Sequence, residues 1–583
     1  MPGLGLLLLL RQTHFAAHKA KNGQQGENAM KIKHWLLVTT AAMAVSMLAG
    51  FDGSRVAAQS VAVLAGDVTS AEEGAMEGVV VSAKKAGSTV TISVISDEKG
   101  HFAFPSAKLD PGQYTLRIRA IGYELDGPKT VDVGGPSAVA TPINLRKARN
   151  LSSQLTSGEW FMSFPGSAQQ KMFMDRCTSC HTYERIAKST YNADEWIAVL
   201  QRMGTYAPGT TPLEPQKRKE TRAEMSPERL RPRAEYLASI NLSESQQWEY
   251  PLKTLPRLKG RSTKVLITEY DLPRATAMPH DVILDEQGMA WYTDFGHQFL
   301  GKLDPKSGKV TEYTVPTLKA DYPPGMLDLH LDKKGDIWVG LMLQAGIAKF
   351  DRKAEKFTMY PLPQDINNPA AQQAMVMPLS ADVDGKVWMN SVGIPGVHRM
   401  ELATQKFETF APFADFPKNQ EHSVYGIKAD SQNNLYFMDF SADLVGRIDA
   451  KTGKYSFFKT PTPNSNPRRG WVDPQDRLWF TEYRADRLAM FDTKTERFTE
   501  WQVPTPYSWP YDVMPDKNGE LWTAGMSTDR VTRLDPKTGQ AVEYQLPKST
   551  NVRRVFVDNT TTPVTFWVGS NHGASIVKVE PLD

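Results

Sequence analysis

Seven short strands in the C-terminal half of the chain each open on an aromatic residue: Trp291, Trp338, Trp388, Tyr436, Trp479, Trp522 and Trp567, with steps of 47, 50, 48, 43, 43 and 45 residues. A period of this length is that of a repeated four-stranded unit. One such unit cannot bury its own apolar face and must stack on its neighbours. A turn of the Asp-x-Lys-x-Gly kind recurs in step at Asp304, Asp351, Asp449, Asp492 and Asp535, with Glu401 at a degenerate third copy. A further strand of the Thr-Glu-Tyr-x-x-Pro kind begins near Thr268, Thr311, Phe357, Phe407, Tyr455, Phe498 and Ala541. Its first copy precedes the first Trp strand, and the last unit has no copy after it. The early strand therefore most simply completes the last unit, closing a ring and removing exposed sheet edges. The expectation for residues 262–583 is a seven-bladed β-propeller.

The remaining residues need their own cores, because 583 residues exceed what one core organises. The expected fold class is multidomain and mainly β: a small sandwich, an α-helical domain and the propeller. Residues 60–148 alternate apolar and polar, as in Thr89–Val94 and Tyr114–Ile118, with turn residues close together. That pattern predicts a small antiparallel β-sandwich. Asp97-Glu98-Lys99-Gly100-His101-Phe102, Leu109-Asp110-Pro111-Gly112-Gln113-Tyr114 and Gly122-Tyr123 resemble the carboxypeptidase regulatory-like family. That resemblance implies an accessory module and no catalytic cluster. Ahead of it, residues 1–58 read as an over-long start followed by an export signal. The signal runs from Met30 through Lys31, Lys33 and the apolar stretch Trp35–Gly50 to a cleavage site after Ala58. An uncleaved N-terminal anchor is the alternative. The expected location is the periplasm, with no membrane span in the mature form.

Residues 160–245 change period. Trp196, Val199, Leu200 and Met203 fall on one face of a helix opened by Asn192 or Asp194. Leu230, Tyr236, Leu237 and Ile240 mark a terminal helix whose start Pro232 bends or delays. The chain has two cysteines, and both fall in Cys177-Thr178-Ser179-Cys180-His181. In this CxxCH spacing two thiols can form thioethers to the haem vinyl groups while the adjacent imidazole reaches the iron. A redox dithiol needs a βαβ setting, and a structural zinc needs two more ligands, which no further Cys supplies. The expected cofactor is haem c, held by Cys177, Cys180 and His181. The sixth position falls to Met203, with Met225 as the alternative or an open site as the third. The region as a whole resembles the cytochrome c family, with a helix over Gln169–Arg176, a middle helix and a terminal helix. The segment Glu244–Lys264 reads as an ordered connector.

The propeller repeat resembles the streptogramin (virginiamycin B) lyase family through Ile267–Pro273, Pro279-His280-Asp281, Trp479-Phe480-Thr481-Glu482 and Asp535-Pro536-Lys537-Thr538-Gly539. Members open a lactone by elimination with a divalent metal, usually magnesium, using His and Glu side chains at the propeller mouth. In this chain the penultimate-blade His position holds Tyr511. The last-blade Glu and His positions hold Asn551 and Arg553, and the final Glu falls near Asn571. The resemblance thus carries the scaffold without its catalytic set. Register along the repeat places His280, Leu327, Met377, Tyr425, Arg468, Tyr511 and Arg553 at equivalent innermost positions, followed by Asp281, Asp328, Arg469, Asp512 and Arg554. Catalytic candidates at the mouth are His280, Asp294, Glu482 and Tyr511. Arg468 and Arg553 together suit an anionic or polar small molecule. His297, His422 and His572 read as loop residues.

Lys+Arg of 68 against Asp+Glu of 65 leaves a net +3, which gives no electrostatic case for a nucleic-acid partner. The expected function is an exported c-type cytochrome with one haem for one-electron transfer, its propeller binding a substrate or a partner dehydrogenase. The alternatives are a lactone lyase with an accessory haem, and a non-catalytic adaptor in which the sandwich is a spacer.

Overall fold

The computed structural model describes residues 62–583 apart from 128, 135–137, 220–224, 242–249, 368, 393 and 395. The expected export signal lies outside the described residues. No helix among those described is long and apolar enough to cross a membrane.

Six sheets of four consecutive antiparallel strands run from Pro279–Leu284 to Ala541–Gln545. The seventh combines Val552–Asp558, Thr565–Ser570 and Ser575–Pro581 with the early strand Val265–Asp271, in register from Val265↔Pro581 to Asp271↔Ser575. The innermost strands of the first and seventh sheets are neighbours, so the propeller-like array closes. The repeated aromatic has a double task. Its indole N–H donates to the carboxylate six residues earlier, as in Trp291 to Asp285 at 2.8 Å, Trp479 to Asp473 at 2.8 Å and Trp522 to Asp516 at 3.0 Å. Its ring stacks on the aromatic of the outermost strand: Trp291 on Tyr313 at 5.9 Å, Trp338 on Tyr360 at 5.4 Å, Trp479 on Trp501 at 5.7 Å. Tyr270 and Trp567 make the same pair at 6.2 Å across the closure. One residue therefore pins both a turn and the outermost strand of its own sheet, which explains its regular recurrence.

The N-terminal sandwich is joined to this array by backbone pairing. Its strand Val90–Ile95 pairs with Val265–Asp271, Ile267↔Ser93 to Tyr270↔Val90, so its sheet and the seventh propeller sheet form one eight-stranded sheet. That pairing covers the closing strand's outer edge, and Arg119–Asp529 at 2.7 Å and Lys108–Glu580 at 3.0 Å add cross-links. The spacer role expected in the adaptor reading does not describe this attachment. Nor is the sandwich wholly antiparallel. Ala62–Ser70 runs parallel to both Ile143–Lys147 and Val139–Ala140, because the last strands return beside the first in the same direction. Its core holds Leu64, Val81, Phe102, Phe104, Leu116 and Tyr123. Tyr114 donates its hydroxyl to the Asp110 carbonyl at 2.8 Å, closing the turn that the Asp-Pro-Gly segment begins.

Between sandwich and propeller lies a small helical region. Three helices open on capping boxes: Ser157–Ser163 on Thr156/Glu159, Ala168–Lys171 on Ser167/Gln170 and Ala193–Gly204 on Asn192/Glu195. The middle helix thus starts at Asn192, and it buries Trp196, Val199 and Leu200 but leaves Met203 37 % exposed in its last turn. The terminal helix spans Pro227–Ile240 with Pro227 in its first turn. Pro232 neither delays nor ends it, because burial of Leu230, Ala234, Tyr236, Leu237 and Ile240 outweighs one lost backbone bond. The helix expected over Gln169–Arg176 is shorter: Ala168–Lys171 passes into a 3-10 turn at Met172–Met174. Connector residues 244–249 lie outside the described set. Past them, Lys253 N–H donates to Ser163 Oγ at 2.7 Å and Leu255 N–H to Glu159 Oε1 at 2.7 Å.

Candidate functional site

The CxxCH motif forms a 3-10 turn, Cys177–Ser179, rather than a stretch of α-helix. Tyr183, fully buried, anchors it by donating to the Met174 carbonyl at 2.9 Å. Both thiols are free and half-buried. Burial pushes both thiol pKa values up, against the nearby Arg233 for Cys177 and Arg553 for Cys180. His181 Nδ1 lies 3.0 Å from the Thr182 carbonyl. A carbonyl only accepts, so Nδ1 carries the proton and Nε2 keeps its lone pair. Burial also lowers the His181 pKa, which favours the neutral ring.

The motif sits on the propeller. Asn551 Nδ2 donates to the Thr178 carbonyl at 3.1 Å, and Arg553 Nη2 to the Ser179 carbonyl at 3.0 Å. His572 lies against Ser179 and His181, buried, with neither ring nitrogen meeting a partner at hydrogen-bonding geometry. Around this contact, Phe161 packs on Tyr507 and Trp509 with ring centroids 5.1 Å apart in each case. Gly158 N–H donates to the Ser527 carbonyl at 2.8 Å, and a Cβ there would come within 2.9 Å of Thr528. Arg484 pairs with Asp175 just ahead of the motif. On the far side His297 bridges Asp294 at 3.2 Å and Glu214 at 2.8 Å. The helical core and the rim residues Tyr483, Trp509, Tyr511 and Met526 form one apolar cluster.

Beneath the motif the expected mouth residues divide. His280, Arg468, Tyr511 and Arg553 meet; Asp294 and Glu482 do not join them. Tyr511 is central. Its hydroxyl bonds His280 Nε2 at 3.1 Å and Tyr425, and Arg468 lies 3.9 Å and Arg553 5.5 Å from its ring centroid. Burial alone would raise the Tyr511 pKa; Arg468, Arg553 and Arg469 together hold it below the ordinary value. Arg468 is caged by Tyr425, Phe440, Tyr483 and Tyr511. Arg468 and Arg553 thus share Tyr511 as their common neighbour, and Arg553 also serves the motif backbone.

Deeper still, His280 Nδ1 bonds Asp281 at 2.5 Å. Asp281 takes two bonds from Arg469 at 2.8 and 2.7 Å, and Asp328 takes one each from Arg469 and Arg554 at 2.7 Å. His330 and Lys428 complete the cluster. Burial brings His280 and His330 down to about 3 and Lys428 down to about 7. Asp294 is engaged elsewhere, pairing with Arg274 at 2.6 Å. Met203 and Met225 stand at the edge of the helical region, 37 % and 36 % exposed, with the Met225 carbonyl accepting from Gln201 Nε2 at 3.3 Å. His572 and Asn551 are the contributors that sequence reasoning missed. Asn551 lies two residues before Arg553, and His572 follows Asn571, with no local pattern to set either apart.

A profile of the virginiamycin B lyase family matches residues 416–582, and one of the carboxypeptidase regulatory-like domain matches residues 63–146. The chain therefore carries a carboxypeptidase regulatory-like domain and a lyase-like β-propeller. Among solved structures, virginiamycin B lyase from Staphylococcus aureus is 22% identical over 54% of this chain and 98% of its own, with a TM-score of 0.45. YCF48 from Cyanidioschyzon merolae is 11% identical over 54% of this chain and 99% of its own, at 0.43. No curated protein sequence matches the chain.

Proposed function

We propose that this chain is an exported c-type cytochrome whose single haem is attached on top of the propeller. The observation that carries the reading is the donor set. The chain's only two cysteines are both unpaired, and beside them stands an imidazole with Nδ1 pinned to a carbonyl and its lone pair on Nε2. These residues fit haem c: Cys177 and Cys180 as thioether donors, His181 as proximal ligand. The bound group would supply reversible one-electron chemistry. The protein's own part is to hold the motif still. Asn551 and Arg553 fix the carbonyls of Thr178 and Ser179, and the Thr182 carbonyl fixes the His181 tautomer. A pyridine–alkali difference spectrum of the mature chain tests this. A two-thioether haem spectrum at one haem per chain is expected, and a colourless chain from a host that matures c-type cytochromes overturns it.

For the sixth position, Met203 and Met225 flank the same side of the region, joined through the Gln201 side chain. We assign the ligand to Met203, with Met225 as its competitor. The red thioether-to-iron band is expected to disappear in Met203→Leu and persist in Met225→Leu. The reverse pattern moves the ligand to Met225, and persistence in both leaves an open or non-thioether position.

The lyase reading has the family match over 416–582 in its favour. Against it, the positions that carry Glu and His in that family hold Asn551 and Arg553, and here both bind the motif backbone. No ring opening of cyclic depsipeptide lactones with magnesium is expected; turnover above the uncatalysed rate would restore that reading. Arg468 then packs among aromatic rings and Arg553 bonds the motif backbone, and a redox partner protein meets the helical region.

A further inference from the structure

Four propeller sheets hold a buried or half-buried acidic residue on the outermost strand, and three of these acids have a cation. Glu312 of the first sheet takes Arg274 at 2.7 Å, Glu543 of the sixth takes Arg530 at 3.4 Å, and Glu269 of the seventh takes Lys548 at 2.8 Å. In the first sheet the same Arg274 also reaches Asp294, the last residue of the second strand, at 2.6 Å. The fifth sheet repeats both acids, as Glu500 and Glu482, and lacks the cation. Arg274 stands five residues before Pro279; the residue five before Pro467 is Thr462. Thr462 donates its N–H and its hydroxyl to Glu500, at 3.1 and 2.6 Å.

Glu482 is left stranded. Its residue exposure is 0 %, and both carboxylate oxygens are buried and, among the described residues, accept no hydrogen bond, with the Glu500 carboxyl as their close neighbour. A carboxylate in that state is costly unless neutralised. The nearest charges are Glu500, Arg487 and Asp443, and Arg487 makes no ion pair with either glutamate among the described residues. Burial first and Glu500 second push the Glu482 pKa up to about 9. Asp443 is occupied by the backbone N–H groups of Asn464 and Ser465.

We propose that Glu482 and Glu500 bind a divalent cation of the calcium class in the place that the Arg274 guanidinium fills in the first sheet. The two carboxylates offer up to four oxygens, and water completes the shell that calcium requires. No trio of His, Cys, Asp or Glu converges here. A two-carboxylate site therefore belongs with weak extracellular ones, with a Kd on the order of 10⁻⁴–10⁻³ M. The next two residues give the site a purpose. Tyr483 packs on Trp509 at 5.8 Å and reaches Met526 Sδ at 3.6 Å, and Arg484 pairs with Asp175. The cation would brace the rim segment on which the helical region rests. This inference does not depend on the haem assignment.

The test uses the full mature chain, metal-stripped, with terbium as a luminescent probe excited through the neighbouring Trp479 and Trp501. The expected result is sensitised emission that calcium displaces, together with a higher melting midpoint in calcium. Both should be lost in Glu482→Gln. In Thr462→Arg, which rebuilds the first-sheet arrangement, the midpoint should be high without calcium. Emission that survives Glu482→Gln, or a wild-type midpoint indifferent to calcium at 10-fold above the expected Kd range, overturns the proposal. The second outcome would assign the pair to a shared proton or to Arg487. Should Thr462→Arg fail to fold, Glu482→Gln alone decides.

Discussion

Replacing Cys177 and Cys180 together by serine is expected to abolish covalent haem while leaving a folded chain. Intact mass should fall by one haem relative to the mature wild type, and the visible spectrum should vanish. The loss is expected to be total rather than graded, because thioether bonds are the only covalent attachment the chain can make: it has no third cysteine. Folding should survive, because the apolar cluster joining helices to propeller is built from Trp160, Phe161, Phe164, Tyr183, Trp509 and Tyr511, with Cys177 only at its edge. A serine hydroxyl in place of a half-buried thiol costs on the order of 1 kcal/mol, small against that cluster. A single substitution should retain a partial adduct through the remaining thiol. His181→Ala should keep the mass and change the spectrum, since it removes the nitrogen ligand proposed for the iron and spares both sulfurs. A coloured double-serine chain would remove the cytochrome reading altogether.

The parts legible in the sequence were those with local chemical causes. The Trp strands could be counted because four of the indoles, those of Trp291, Trp338, Trp479 and Trp522, tie an Asp turn six residues back, and the repeat aromatics stack within their own sheets, a pattern that repeats with the chain. The displaced Thr268-Glu269-Tyr270 strand was legible for the same reason, since Tyr270 needs Trp567. The fusion of Val90–Ile95 to Val265–Asp271 was not. Edge pairing between strands some 175 residues apart rests on two backbones meeting, and backbone groups leave no residue signature. Docking of the motif was equally hidden. Asn551 read as the position of a lyase Glu, Arg553 as part of a ligand pocket and His572 as a loop residue, and only the folded chain brings them to Thr178, Ser179 and His181. Asn551 and Arg553 there bind the backbone of the chain's own CxxCH segment. Pro232 illustrates the opposite error, a local rule overridden by five buried side chains on its helix.

Arg469→Met is expected to destabilise the propeller by about 3–5 kcal/mol at neutral pH, the cost of breaking a buried ion pair from one side. Arg469 is 1 % exposed and makes three bonds to Asp281 and Asp328. With it gone, Arg554 is the one arginine left bonding the two buried carboxylates. These four residues belong to the first, second, fifth and seventh sheets, so they clasp strands from opposite sides of the ring. The effect should depend on pH with a definite sign. Burial alone would raise the Asp328 pKa, yet His330, Arg469 and Arg554 hold it well below the ordinary carboxylate value. A carboxyl lowered on folding adds stability that is fully present above its unfolded value of about 3.9 and is lost as pH falls through its folded value. The deficit of Arg469→Met should therefore be largest at neutral pH and narrow below about pH 4. Denaturant midpoints at pH 7 and pH 3.5 measure both quantities. A companion Arg469→Met/Asp281→Asn chain should lose less than the sum of its single substitutions, since the two residues share one interaction. Because Asp281 also orients His280, which bonds Tyr511 under the motif, hydrogen exchange at Thr178 and Ser179 should quicken in Arg469→Met. Unchanged exchange there would confine the clasp to holding the ring, with no hand in seating the motif above it.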